Sequence, residues 1–458
     1  MDANINRMAD YLVALRYADI PAEIVHDCKR RVIDTLGCGV GAFDAEPCLI
    51  ARKMALRAAA KTGAQVLGTA TRTLPELAAF ANGVMMRYLD GNDSYPGGGG
   101  HASDAISAVL AAADMRGANG RDVITAVTAA YDVFYNLYTA ARMRDQGWDH
   151  VFYIAVASAA GAAKVLNLDH AQTVNALALA ITPNLALEVT RRGHLSMWKG
   201  AAGGNASRNG IFAALLAAEG MTGPEQAIEG THGLWHVAGK FDIAPFPGTG
   251  SPFRIVQASL KFFLSEYHSL APIEAAVDLH RQLAGAEIAA VTIHTYAFAY
   301  QEIGNEPEKW HPTTRETADH SLPFIIAAVL IDGRFSDEIF SPQRLADPRI
   351  HALADRIKVE EDPELSRQFP EKVPSRIEVM TVDGRKKIAT VEYPRGHFRN
   401  PLTDKEVDAK FIDLATRVLS RRQSNKLLSL LWNLDGQDNL DAIFKAARIR
   451  RRTENALA

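Results

Sequence analysis

The chain has 458 residues, 48% of them hydrophobic and 22% charged, with a formal net charge of −3. That length exceeds what one core usually organises, so two domains are expected. The near-neutral balance argues against a nucleic acid or an anionic membrane surface as partner and points to a small molecule.

The opening stretch "MDANINRMADYLVALRYAD" lacks an uncharged apolar segment ending in a small-residue cleavage site. No window of about eighteen residues stays apolar without charge, so a cytoplasmic protein is expected. Cys28, Cys38 and Cys48 are spaced ten apart, which fits neither a C-x-x-C metal site nor a disulfide framework. Buried reduced thiols are expected, and an iron–sulfur lyase is disfavoured. "GCGVGA", Gly37 to Ala42, satisfies a dinucleotide glycine pattern but follows the helical run "CKRRVIDTL" rather than a strand, so close helix packing is the better reading.

Alanine-rich windows with helical spacing fill the first 240 or so residues, among them "SAVLAAADM", "VITAVTAAYDVFYNLYTAAR", "AVASAAGAAKVLNL", "TVNALALAI" and "GIFAALLAAEGM". Asp169 is a candidate N-cap, and Gly220 a candidate residue just past a C-terminus. The texture then changes. "EIAAVTIHTYAFAY" is enriched in β-branched and aromatic residues, and "RIEVMTVDGRKKIATVEY" reads as a hairpin turning at Asp383-Gly384. "DKEVDAKFIDLATRVL" returns to helical periodicity. The expected fold is mainly α: a helical domain over 1–255, an inserted smaller α/β lid domain over 256–402, and helices over 403–458 that rejoin the first domain. The basic run Arg448, Arg450, Arg451 and Arg452 reads as a solvated helix face.

Three stretches carry chemistry. "LDGNDSYPGGGGHASDA" puts Asp90 and Asp93 close together, then the glycines Gly97 to Gly100, then His101 before a helix start for which Ser103 is the candidate N-cap. Exposed N–H groups there favour an anion, and the helix end pushes the imidazole toward the neutral form a base needs. The glycines allow a backbone to approach a ligand closely. "MWKGAAGGNASRNG" places Lys199 and Arg208 around a helix start, where cations are misplaced unless an anion joins them. "SLKFFLSEYHSLAPIEAA" sets Lys261, Glu266 and His268 in an apolar segment at the expected domain junction, where clefts form.

Together "NGVMMRYLDGNDSY" with "HASDAI", "MWKGAAGGNASRNG", "KFFLSEYHS" with "IEAA", "EPEKWHPTTRETADHSLPF" and "YPRGHFRNPLTDKEVDAKF" resemble the MmgE/PrpD family over nearly the whole chain. That family includes 2-methylcitrate dehydratases, cis-aconitate decarboxylases and an iminodisuccinate epimerase. The resemblance implies a homodimer, a helical domain built from both chain ends with an α/β lid, and chemistry needing no metal or nucleotide. By position it implies Asp90, Asp93 and Ser94 for the acidic segment, His101 for the histidine after it, Lys199 and Lys261 for two lysines, and His150 of "GWDHVF" for a further histidine. Ala102 stands where the family often has proline, Leu264 where proline is common, and the four glycines replace bulkier residues. Those departures put the substrate in doubt more than the reaction.

The implied chemistry is proton removal beside a carboxylate, which needs a positioned base and cations held ready for the developing charge. His101 is the expected base with Asp90 orienting it or acting as the alternative acid/base. Lys199 and Lys261 are expected to clamp substrate carboxylates and to stabilise the enolate-like transition state, with Asp93, Ser94, His150, Arg208 and His268 as further substrate contacts. Asp319 and His320 read more as capping and packing than as ligands, and His232, His294 and His311 show no partner. Dehydration of 2-methylcitrate to 2-methylaconitate is the expected reaction. The alternatives are decarboxylation or epimerisation on the same fold, or a silent polycarboxylate-binding homologue.

Overall fold

The computed structural model describes residues 2–98, 100–248 and 251–450. Gly99, within the glycine run, and Arg451 and Arg452, within the basic run, lie outside them. The sequence reading put Arg448 and Arg450 on a helix face, but the last described helix ends at Ala447 and both residues follow it.

Helix Trp198–Ala218 packs against helices Pro75–Tyr88, Val151–Leu166 and His170–Ile181. Glycine makes the tightest of these contacts. A Cβ on Gly204 would fall 2.8 Å from both Phe80 O and Val84 N, and one on Gly83 would fall 2.7 Å from Gly204 Cα. With Gly200 lying against Tyr88, the two helices run antiparallel, so the end of one and the start of the other arrive side by side. That juxtaposition builds the site.

"GCGVGA" forms the end of helix Ala22–Gly41, with Ala42 as its C-cap, and serves packing, as expected. Positions for a Cβ on Gly37 and Gly41 sit 3.1 Å from Phe411 and Leu414 of helix Asp404–Ala415, which packs on it. Residues after Leu402 therefore share one hydrophobic core with the N-terminal helices. Asp169 caps helix His170–Ile181 through Gln172 N, and Gly220, at φ 91°, follows helix Trp198–Ala218. A short ribbon that the alanine-rich texture did not announce, β1 (Ala59–Gln65) with β2 (Arg72–Thr73), interrupts the helices. The three cysteines are buried thiols, each pushed up to about 12 by burial.

A second core gathers apolar residues between Ile273 and Ala389. Its sheet has the order β4-β3-β5-β6, with β3 (Ile288–Thr295) parallel to β4 (Ile357–Glu361) and antiparallel to β5 (Ser375–Thr381). β5 and β6 (Lys386–Val391) form the expected hairpin, and Gly384 at φ 84° supplies its left-handed turn residue. Helix Leu270–Leu283 covers β5 and β6 and packs on helix Leu322–Asp332.

Candidate active site

Asp90 follows helix Pro75–Tyr88 in the left-handed region, at φ 51°, which turns its carboxylate back across the helix end. Oδ1 accepts from Arg87 Nη1 and from Lys261 Nζ, each at 2.6 Å, and Oδ2 accepts from Lys199 Nζ at 3.0 Å. Burial by itself would raise this carboxyl, but Arg87, Lys199 and Lys261 hold it well below the usual carboxylate range. Lys261 has all three protons engaged, by Asp90 Oδ1, Asp90 O at 2.9 Å and Ser265 O at 3.1 Å. Its ammonium is pushed down by burial, against the pull of Asp90.

Lys199 also donates to both oxygens of Asp319, at 2.9 and 2.8 Å. Asp319 Oδ1 in turn accepts from His320 Nδ1 at 2.7 Å, and burial pushes that imidazole down to about 3. Asp90, Asp319 and His320 lie close enough together to hold a metal ion, but the Lys199 ammonium already bonds to both carboxylates. The pair read as capping and packing thus belongs to the site.

His101 begins the short helix Ala102–Ala105. Its Nδ1 lies 2.6 Å from Asp93 O and its Nε2 3.0 Å from Arg87 Nη2. The carbonyl can only accept and the guanidinium can only donate, so the proton is on Nδ1 and the ring is neutral. Burial, then Arg87, Lys261 and His150, push it well below its ordinary value. The sequence reading had Asp90 orient His101, but the two are not hydrogen-bonded to each other; Arg87 stands between them. Ser103 does not cap the helix either. Its backbone N donates to Asp93 Oδ1 at 3.1 Å while Tyr131 holds Asp93 Oδ2 at 2.6 Å, so Asp93 does the capping and faces away from the cavity. Ser94 is likewise structural: it pairs through its backbone with Ser259 at 2.9 and 2.7 Å, tying the Asp90 loop to the segment leading to Lys261.

His150, at the start of helix Val151–Leu166, lies with its ring 5.2 Å from that of His101. Its Nδ1 is 2.8 Å from Asp149 Oδ1, whose Oδ2 accepts from Arg191 Nε at 3.0 Å. Burial drives the imidazole down to about 4 despite Asp149. Burial would raise the Asp149 carboxyl, but Arg191 and His150 hold it far below the carboxylate range. Arg191 Nη1 donates to Lys199 O at 2.9 Å.

The remaining wall comes from the second core's side. His268 Nδ1 bonds to the Tyr296 hydroxyl, and Glu266 accepts from His268 N at 2.7 Å. Burial raises the Glu266 carboxyl to about 8, against Lys261. Arg144 stacks on Phe298 and pairs with Glu302 at 2.6 Å. Arg87, Asp90, His101, His150, Lys261 and His268 line one cavity together with Arg191, Glu266 and His320. Its volume is about 30 Å³, room for a couple of waters.

Of the residues expected from sequence, Asp90, His101, His150, Lys261 and His268 meet at this cavity, and Lys199 braces it from below. Arg208 does not. It stands nine residues beyond Lys199 on one straight helix, about 13 Å along and half a turn round, and donates to Asn209 instead. Arg87, Arg191 and Asp149 escaped the sequence reading. Arg87 sits three residues before Asp90, a helical spacing that could have flagged it.

Family models described as the MmgE/PrpD N-terminal domain and the MmgE/PrpD C-terminal domain match residues 6–243 and 263–435. The chain is similar to a 2-methylcitrate dehydratase of Cupriavidus necator, 31% identical over 86% of this chain and 85% of that one. It is 29% identical to a 2-methylcitrate dehydratase of Escherichia coli over 93% of both chains, and 27% identical to a mitochondrial one of Yarrowia lipolytica over 86% and 80%.

Proposed function

The chain belongs to the MmgE/PrpD family, and on that premise we propose that it removes water from 2-methylcitrate, giving 2-methylaconitate, by abstracting a proton beside a carboxylate. The observation that carries this is the meeting of two neutral imidazoles, His101 and His150, with buried cations in one water-poor cavity. A carbon acid beside a carboxylate needs a base that is unprotonated near neutral pH and fixed positive charge for the electron pair it releases. Burial supplies the first. Arg87, Lys199 and Lys261, fixed by Asp90, supply the second without reorganising during reaction. Of the two roles expected of the lysines we assign this electrostatic one and not the clamp, because Lys261 has no proton left to donate.

The cavity is smaller than a tricarboxylate, and Glu266, His268 and His320 come from the part of the chain that carries the second core. We assign that part the role of a lid that parts to admit substrate. No helix among the described residues is long and apolar enough to cross a membrane. We place the protein in the cytoplasm as a homodimer. Buried reduced cysteines support the first assignment. The exposed side chains of Leu187, Val189 and Trp198, gathered around one surface pocket, support the second.

A substrate panel tests the reading: kcat/KM for 2-methylcitrate, citrate, cis-aconitate and iminodisuccinate, with products identified by proton NMR. The highest value is expected for 2-methylcitrate with loss of water. Carbon dioxide release from cis-aconitate, or epimerisation of iminodisuccinate, at a higher kcat/KM would replace it.

A further inference from the structure

Three buried atoms on residues lining this cavity lack a hydrogen-bond partner, Arg87 Nε, His150 Nε2 and Arg191 Nη2; the first has Asp104 Oδ2 3.8 Å away, which leaves the other two. Both residues are nearly inaccessible, Arg191 at 4% exposed and His150 at 7%, so bulk water does not satisfy them. Leaving a buried donor or acceptor unmade is expensive, and a pair of such groups at one cavity is open to a ligand that completes them. The two residues also share an anchor. Asp149 accepts from His150 through Oδ1 and from Arg191 through Oδ2, so one carboxylate fixes the orientation of both.

The bond to Asp149 places the imidazole proton on Nδ1 and leaves Nε2 as a bare lone pair. His101 differs: its Nε2 already accepts from Arg87, and its Nδ1 is held by Asp93 O. Between His101 and His150, only His150 has a ring nitrogen without a hydrogen-bond partner. Arg191 Nη2 is a matching unoccupied cationic donor, whereas Lys261 has no free proton, Arg144 is bonded at Gly98 O, Glu188 and Glu302, and the open Nε of Arg87 has Asp104 beside it.

We propose that His150 Nε2 takes the proton from the substrate carbon while Arg191 Nη2 holds the carboxylate attached to that carbon, with Asp149 positioning both. This rests on the lyase reading and names its base. The C–H pair passes into the carboxylate held by Arg191 and returns to form the carbon–carbon double bond as the β-hydroxyl departs with its C–O pair. The imidazolium gives its proton to the departing oxygen, water leaves, and His150 is neutral again. His101 acts by holding Arg87 against Asp90.

The test compares wild type with His150→Ala, His101→Ala, Asp149→Asn and Arg191→Lys, each checked for folding by circular dichroism and thermal melt. It reads 2-methylcitrate turnover, rescue by added imidazole, and citrate binding by calorimetry. His150→Ala is expected to lose about 10²–10⁴-fold in kcat and to recover part of it with imidazole; His101→Ala is expected to lose activity without rescue. Arg191→Lys is expected to weaken citrate binding by about 10- to 100-fold. Asp149→Asn is expected to lower kcat with imidazole restoring none of it, because the ring is present but misoriented.

Rescue at position 101 instead of 150, or citrate binding unchanged in Arg191→Lys, would overturn the proposal, as would a wild type that binds no citrate. A wild type that binds citrate but dehydrates nothing would overturn the lyase reading and with it the base assignment, while the Arg191 comparison still decides the anion contact. His150→Gln replaces the alanine variant should that one fail to fold.

Discussion

Lys261 is bonded twice to one residue: its Nζ donates to Asp90 Oδ1 at 2.6 Å and to Asp90 O at 2.9 Å, with Ser265 O taking the third proton at 3.1 Å. Asp90 is therefore the counter-ion on which Arg87, Lys199 and Lys261 all depend. Asp90→Asn keeps the shape, and asparagine tolerates the left-handed backbone that this position requires, but three buried cations then lose a shared anion. A destabilisation of about 3–5 kcal/mol and a near-complete loss of turnover are expected, read by urea denaturation and by the dehydration assay.

The glycine contact between helices Pro75–Tyr88 and Trp198–Ala218 sets how far Asp90 stands from Lys199. Gly204→Ala would push its Cβ against Phe80 O and Val84 N, both 2.8 Å away. Backbone atoms yield only if the helices separate, so about 1–3 kcal/mol of stability should go, and activity should fall although no reacting group has changed. Thermal melts and kcat measured on the same preparation check both.

For pH, His150 has a folded value of about 4 against an ordinary value of about 6.5. Its ring stays unprotonated well into acid, so the acid limb of kcat/KM should lie below about pH 5 rather than near 6.5. The charged groups around it are Asp149, Arg191 and Arg87. The same shift lowers stability as pH falls: between about 6.5 and 4 the unfolded chain binds a proton that the folded one refuses, and above that window the effect vanishes. A pH profile of kcat/KM alongside one of urea midpoint reads both.

Glu266 shifts the other way. Its carboxyl titrates at about 8 when folded and near 4.3 when unfolded. From about pH 4.3 to 8 the folded chain holds a proton that the unfolded chain has lost, so this group lowers stability as pH rises across that range. Glu266→Gln should remove the slope, so that the variant gains on wild type from pH 5 to pH 8 in urea midpoint.

Arg208→Ala should change kcat/KM less than about twofold, since Arg208 reaches only Asn209 from the far side of its helix. A larger effect in the dehydration assay would return it to the substrate-contact role the sequence suggested.

Much of the fold was legible because it rests on periodicity. Alanine-rich helical windows, the Asp383-Gly384 turn and the cap at Asp169 are each decided within a few residues. Ribbon β1–β2 was not, since "AAKTGAQ" carries little β-branched signal and pairs with only two residues. Within the site, Asp90, His101, Lys199 and Lys261 stood out as charges placed where helix formers were expected. Arg191 and Asp149 did not, because their meaning comes from contact across 42 residues of chain. The sequence reading chose His101 as base; the proposal of His150 in its place turns on Arg87 occupying the Nε2 of His101. Asp319 and His320 looked like a helix entry, and Ser321 does cap the following helix. Their site role appears only when Lys199 is brought 2.8 Å from Asp319.

The most direct test of the account is to incubate the purified protein with 2-methylcitrate in deuterated buffer containing a chelator and to follow the proton spectrum. The account expects the signals of the unsaturated product to grow with loss of water, at a rate the chelator leaves unchanged. Unaltered substrate, or turnover that the chelator abolishes, would contradict it.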